Sequence, residues 1–280
     1  MHLIVFSKLL KEYSVPKLIA LAHSHGYDGY DLCVRPGYAV SPEDAGETLP
    51  AAVAQMAVEG VAVLLVTGPT SLTDPRQPEA ESLLAALATS GVPRLKVGYF
   101  RFDRSRSYQE QVDSARRTLE NWEILGRIYG VQICYHTHSG SYLGLNAASL
   151  LHLLRDRDPA YIGAYLDPGH LAVNGEPFDQ ALAMTRDYLS VLSLKDVQVE
   201  RVEAGAHGKG RVRWLPAGQG IVDWTSVFAD LNAADFEGPA SIHCEYEVPA
   251  EGWAETFGRE IASFRRWNAG SKADPEQSSQ

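Results

Sequence analysis

Eight short runs of apolar, β-favouring residues punctuate the chain: Leu3–Phe6, Gly29–Val34, Val61–Val66, Leu95–Phe100, Val131–Tyr135, Ile162–Leu166, Leu189–Leu194 and Ala240–Cys244. Each is apolar nearly throughout instead of alternating, as parallel strands buried on both faces require. The longer segments between them carry helix punctuation. Ser14 and Pro16 open a first helix that Gly26 follows, and Thr48 and Pro50 open a second, closed by Gly60. Asp74 and Pro75 start a third that ends at Gly91, and Ser107 to Tyr129 is the longest, with Gly130 after it. The last four are expected over Ala147–Arg155, Pro177–Arg186, Trp224–Asn232 and Trp253–Arg266. Strand then helix, eight times, predicts an α/β chain folded as one closed (β/α)8 barrel. Such a barrel takes about 250 residues. It is expected over residues 1–269, with 270–280 a polar tail lacking periodicity. An open doubly wound sheet would carry a glycine-rich phosphate turn after its first strand, where Ser7-Lys8-Leu9-Leu10 stands instead.

Charge narrows the partners. The formal net charge is −10, and the only local basic concentration is Lys209 to Arg213. Nucleic acid, which needs clustered Lys and Arg to displace counterions, is not an expected partner. A modestly anionic small molecule is still allowed, because a local pocket can oppose the global charge. Cys33, Cys134 and Cys244 each sit in a strand-like run, which reads as small buried hydrophobes in a reducing compartment. Met1 to Phe6 lacks a signal-peptide pattern and no stretch approaches a membrane span, so the cytoplasm is the expected location and no membrane partner is expected. The glycines from Gly205 to Gly210 do not join a strand to a helix as a phosphate loop must.

In a (β/α)8 barrel, chemistry belongs where strands end and the following loops begin. Strand 5 ends in Cys134-Tyr135-His136-Thr137-His138, with His136 and His138 on one face. Strand 6 ends in Asp167-Pro168-Gly169-His170, strand 7 in Ser193-Leu194-Lys195-Asp196, and strand 8 in His243-Cys244-Glu245. Taken singly these have plain readings: a hydrogen-bonded His, an Asp-Pro-Gly turn, a surface ion pair. Four adjacent strands delivering imidazoles, carboxylates and an amine to one end predict a functional site.

These residues resemble the xylose isomerase-like TIM barrels, a superfamily of sugar isomerases, epimerases and inosose dehydratase, and within it a branch of sugar phosphate isomerases/epimerases. The matching features are Gly26–Asp31, Gly98–Asp103, Tyr135–Gly140, Asp167–His170, Leu194–Val197, Gly218–Trp224 and Gly238–Glu247. The resemblance implies a divalent metal held by Glu, Asp, His and Glu on strands 5 to 8. Here only Asp167 keeps its type: His136 and His243 replace glutamates, with Glu245 two residues further, and Ser193 replaces the His. His136, Asp167, His243 and Glu245 are the expected ligands of Mn, Zn, Co, Fe or Mg. His138, His170, Lys195 and Glu245 are the candidates for proton transfer, and Asp31 and Arg101 for contacts to substrate. The implied activity is metal-assisted isomerisation, epimerisation or dehydration of a sugar, keto-sugar or cyclitol by proton abstraction next to a carbonyl. Two alternatives stay open: a sugar- or partner-binding barrel whose metal site has decayed, and a phosphodiesterase of the apurinic endonuclease type. A homo-oligomer is compatible with either.

Overall fold

The computed structural model describes residues 1–203, 207–247 and 252–273. Eight strands close into a parallel barrel: β1 (His2–Phe6), β2 (Gly29–Cys33), β3 (Ala62–Thr67), β4 (Arg94–Lys96), β5 (Gln132–His136), β6 (Ile162–Leu166), β7 (Leu189–Leu194) and β10 (Pro239–Ile242). The last pairs back to the first, from His2 against Pro239 to Val5 against Ile242. The expected barrel is therefore present, strand for strand. Alternate residues divide between two cores, as the pleat requires. Ile4, Leu65, Cys134, Tyr165 and Val191 cluster together, whereas Leu3, Val5, Val66, Ile133, Ala164 and Leu192 join the larger cluster with the helices.

Among the described residues the helices are α1 (Val15–His25), α2 (Ala45–Val58), α3 (Pro78–Ser90), α4 (Tyr108–Tyr129), α5 (Ala147–Leu154), α6 (Pro168–Val173), α7 (Phe178–Thr185), α8 (Trp224–Ala233) and α9 (Trp253–Ala273). Several boundaries differ from those expected. Helix α2 starts at Ala45, which places Pro50 inside it. Helix α3 starts at Pro78, because the Gln77 side chain accepts the Thr73 and Asp74 N–H groups and holds them in a turn. Strand β4 stops at Lys96; Gly98 then bonds to the Leu72 carbonyl, in a loop where a Cβ would lie 2.3 Å from the Thr70 oxygen. The three cysteines are buried and free. No helix among the described residues is long and apolar enough to cross a membrane. Helix α9 continues to Ala273, and residues 274–280, like Gly205, lie outside the described residues.

One feature has no counterpart among the eight apolar runs. Directly after β7, β8 (Asp196–Arg201) and β9 (Gly210–Leu215) form an antiparallel hairpin outside the barrel. Its base is fixed by Asp196, which is fully buried. One carboxylate oxygen accepts the N–H groups of Val197 and Val222, at 2.8 and 3.2 Å. The other accepts those of Gly218 at 2.8 Å, Gly220 at 3.0 Å and the Trp224 indole at 3.2 Å. One side chain thus closes the loop from β9 to α8.

Two expectations follow for stability, both measured by urea unfolding. A Cβ on Gly29 would stand 1.9 Å from the Ala62 carbonyl oxygen. Gly29→Ala is therefore expected to cost about 3 kcal/mol or more, the upper part of the overpacking range. Gly60 has φ +71° and open space around it, so Gly60→Ala should cost only about 1 kcal/mol for the left-handed backbone. Asp196→Ala leaves several buried donors without an acceptor, each worth about 1–3 kcal/mol, and should destabilise the protein far more than Glu200→Ala on the exposed side of the hairpin.

Candidate active site at the carboxyl end of the barrel

A cavity of about 460 Å³ opens at the carboxyl ends of the strands. His136 and His138 reach it from β5 and the loop after it, Lys195 from the end of β7, and His243 and Glu245 from the segment after β10. The expected gathering of these side chains at one end is what the structure shows. Arg101 also lines the cavity, exposed, with its guanidinium 5.6 Å from the Tyr142 ring centroid.

Three candidates, Asp31, Asp167 and His170, are buried and do not line the cavity. Asp31 was expected to meet substrate hydroxyls, but it is fully buried and does not line the cavity. Its carboxylate accepts from Thr67 at 2.7 Å, Tyr165 at 3.1 Å and Ser241 at 3.3 Å, and burial pushes its pKa up to about 6. His170 is also buried and not part of the lining. It projects from α6, whose N-cap is Asp167. Its Nδ1 accepts the Ser139 N–H at 3.3 Å, and its ring stacks 4.1 Å from His138.

Lys195 is the hub. Its side chain is 4% exposed. The ammonium lies 2.6 Å from Glu245 Oε2, 3.6 Å from Asp167 Oδ2, 3.3 Å from His170 Nε2 and 4.7 Å from the centroid of the Trp214 ring on β9. Burial would strip its proton, yet Asp167 and Glu245 overcome that and raise its pKa above the ordinary lysine value. Burial also opposes ionisation of Asp167, but the Lys195 ammonium and the hydrogen bond from His136 hold its carboxyl well below the usual range. Glu245 is held low in the same way by Lys195, His243 and Lys8, with which it also pairs at the rim. The result is a buried, charged, fully countered lysine.

The imidazoles are neutral. Burial lowers the pKa of His136 to about 3, that of His170 well below 6.5, and those of His138 and His243 below it. Partners then set the tautomers. His136 Nε2 donates to the ionised Asp167 at 3.2 Å, and its Nδ1 accepts from the Tyr99 hydroxyl at 2.9 Å. His243 Nε2 donates to Tyr165 at 2.8 Å, because that hydroxyl gives its own proton to Asp31. His138 Nδ1 donates to the Ser139 carbonyl at 2.8 Å, so its Nε2 keeps a free lone pair.

The expected metal ligands are adjacent but not arranged around an ion. Both nitrogens of His136 are engaged, Asp167 and Glu245 are turned onto Lys195, and the buried Nδ1 of His243 has no partner and stands 3.8 Å from Glu245. Among the described residues, no group of three or more His, Cys, Asp or Glu side chains is placed to hold a metal. The donor set as it stands does not fit a divalent ion.

Sequence reasoning missed Lys96, Arg35, Lys8, Tyr99 and Trp214. Lys96, 3% exposed at the end of β4, had a visible signal: a charge inside an apolar run expected to be buried on both faces. Tyr99 falls within the Gly98–Asp103 match, whereas Lys8 in the helical turn after β1, Arg35 in a loop and Trp214 on the hairpin had no such signal. Five cationic side chains, Lys8, Arg35, Lys96, Arg101 and Lys195, line the cavity against one carboxylate, Glu245.

Comparison with known proteins agrees with this architecture. An inosose dehydratase from Geobacillus thermodenitrificans (strain NG80-2) is 28% identical over 128 residues, a stretch spanning 42% of this chain and 42% of that protein. The 3-keto-D-glucoside 4-epimerase YcjR from E. coli superposes with a TM-score of 0.72 at 17% identity, covering 95% of this chain and 99% of that one. The IOLI protein, solved with a bound zinc atom, superposes with a TM-score of 0.74 at 15% identity, covering 97% and 98%. The description Xylose isomerase-like TIM barrel matches residues 19–267. With a closed eight-stranded barrel, its polar cluster at the carboxyl rim and a family match over nearly its whole length, the chain belongs to the xylose isomerase-like TIM barrel family.

Proposed function

We propose that the protein is an isomerase, epimerase or dehydratase that acts on a sugar, keto-sugar or cyclitol by moving a proton next to a carbonyl. The observation that carries this reading is the pairing, in one cavity, of a neutral imidazole with a free lone pair and a cationic wall. His138 Nε2 is the base that takes the proton from carbon. The electron pair of the broken C–H bond moves onto the carbonyl oxygen, and the cations of the wall stabilise the charge that develops there. A proton delivered to the opposite face of the same carbon gives an epimer. A proton delivered to the former carbonyl carbon, with the neighbouring hydroxyl proton passing to the carbonyl oxygen, gives an isomer. Loss of a β-hydroxyl, leaving as water with the abstracted proton, gives a dehydration. None of these steps runs through a metal ion, since the donor set is not arranged for one. His170, which does not reach the cavity, packs its ring against His138 and helps to position it. The buried, reduced cysteines fit a reducing compartment such as the cytoplasm.

The lining also specifies the substrate's charge. Lys8 and Lys195 share Glu245, while Arg35, Lys96 and Arg101 have no carboxylate within ion-pair distance among the described residues. Burial and the neighbouring Arg35 push the Lys96 pKa down to about 7. An acidic group on the sugar supplies the missing counter-charge, in a protein whose overall charge is negative.

In D2O, one or more members of a panel of keto-sugars and inososes should take up deuterium at the carbon next to the carbonyl, read by NMR; absence of exchange across the panel contradicts the reading. His138→Ala should lower kcat by about 10²–10⁴-fold, the usual worth of a general base, with a much smaller change in KM. Because the base must be unprotonated and burial lowers its pKa, the acid limb of kcat/KM should fall below pH 6.5 and the profile should be flat just above it. Inorganic phosphate or D-gluconate should bind more tightly than neutral myo-inositol by calorimetry. Arg35→Gln should weaken that binding by about tenfold, an ion-pair-sized loss of about 1.4 kcal/mol.

A further inference from the structure

Resting on that reading, the positions of the charged groups carry one step more. We infer that the Lys195 ammonium is the resident cation of this site and occupies the place that the family resemblance assigns to a divalent ion. Three observations point there independently. The two carboxylates that a metal would draw together, Asp167 and Glu245, both face the Lys195 ammonium, at 3.6 and 2.6 Å. The strand-7 position where the resemblance places a histidine ligand is Ser193, whose hydroxyl is buried and has no hydrogen-bond partner. His136 cannot direct a lone pair at the same centre, since its ring is spanned between Tyr99 and Asp167.

The chemistry is consistent. A buried carboxylate and a largely enclosed one cannot stay ionised side by side without a counter-charge. A divalent ion is one solution and a lysine ammonium is another, with half the charge and a covalent tether. The Lys195 ammonium also lines the cavity, so it meets the oxygen on which charge develops. Trp214 closes its far side with a π-face, which keeps water away and favours the charged form. Lys195 is thus the electrophile that polarises the carbonyl, and the reaction needs no added ion.

Direct metal binding tests this without reference to any substrate, so its failure is distinct from failure of the proposed reaction. Full-length protein dialysed against EDTA is titrated with MnCl2 and with ZnCl2 by calorimetry and followed by thermal melting. The wild type is expected to bind neither ion tighter than the millimolar range and to melt at the same temperature with and without EDTA. Lys195→Met removes the charge and keeps the length. It should lower Tm, bind Mn2+ or Zn2+ at one ion per chain, and regain Tm when the ion is added. Ser193→His in that background should tighten the ion further. One-to-one micromolar binding by the wild type, lost in Asp167→Asn, would overturn the inference. So would a folded Lys195→Met protein that neither binds nor is rescued by either ion. The wild-type titration decides the matter even where the variant does not fold.

Discussion

The carboxyl end of the barrel is organised by one buried charge. An ammonium taken from water into protein costs several kcal/mol unless countered, and here Lys195 is countered by Asp167 and Glu245 from the strands on either side. Satisfying that charge fixes much of the rest. Asp167 must stay ionised, so His136 becomes its donor and stays neutral. Glu245 must face inward, and Lys8 screens its other oxygen from the rim. The adjacent residue completes the frame. Neighbours along a strand point to opposite sides, so Lys195 faces the site while Asp196 faces away and ties the loop from Gly218 to Trp224. The same dipeptide launches the hairpin that brings Trp214 back over the ammonium.

That arrangement separates the roles of groups that look alike in the sequence. Two lysines lie buried at the cavity, but Lys195 is held charged by carboxylates, whereas Lys96 meets a tyrosine ring at 3.7 Å and a neighbouring arginine. Of the four histidines at the rim, His138 and His243 both line the cavity with a ring nitrogen free. His243 is buried beside Glu245, whereas His138 is partly exposed with its other nitrogen fixed by the backbone. Its partial exposure is what makes it useful. His136, deeper in, holds the Asp167 carboxylate in place, and the buried His170 packs against His138.

The sequence made the barrel legible because its information is periodic. Eight two-sided apolar runs and their glycine-closed helices survive any local irregularity, and even the shortened β4 keeps its place in the order. The strand-end cluster was legible for the same reason: position in a barrel strand converts directly into position at the rim. Three things were not. Asp31 lies in the middle of β2, where three hydroxyls saturate it from inside the barrel, and nothing in the residue type tells of them. The β8–β9 hairpin is signalled only by a short one-sided alternation, Val197 and Val199 opposite Trp214 and Val212, unlike the two-sided apolar runs that mark the barrel. The metal expectation came from the family resemblance and from residue types at the matching strand ends. Histidine, aspartate and glutamate at the right strand ends are the same letters whether they surround an ion or an ammonium, and only the hydrogen-bond partners distinguish the two.

The nitrogen-15 NMR spectrum of the lysine side chains is the most direct measurement of that distinction. With the Lys195 signal assigned by its absence from Lys195→Met, a buried ammonium paired to two carboxylates should give a slowly exchanging, protonated NH3+ resonance at neutral pH, unbroadened by added Mn2+. A Lys195 signal that is rapidly exchanging or deprotonated, or that Mn2+ broadens selectively at stoichiometric amounts, would contradict the picture of a lysine standing where a metal would be.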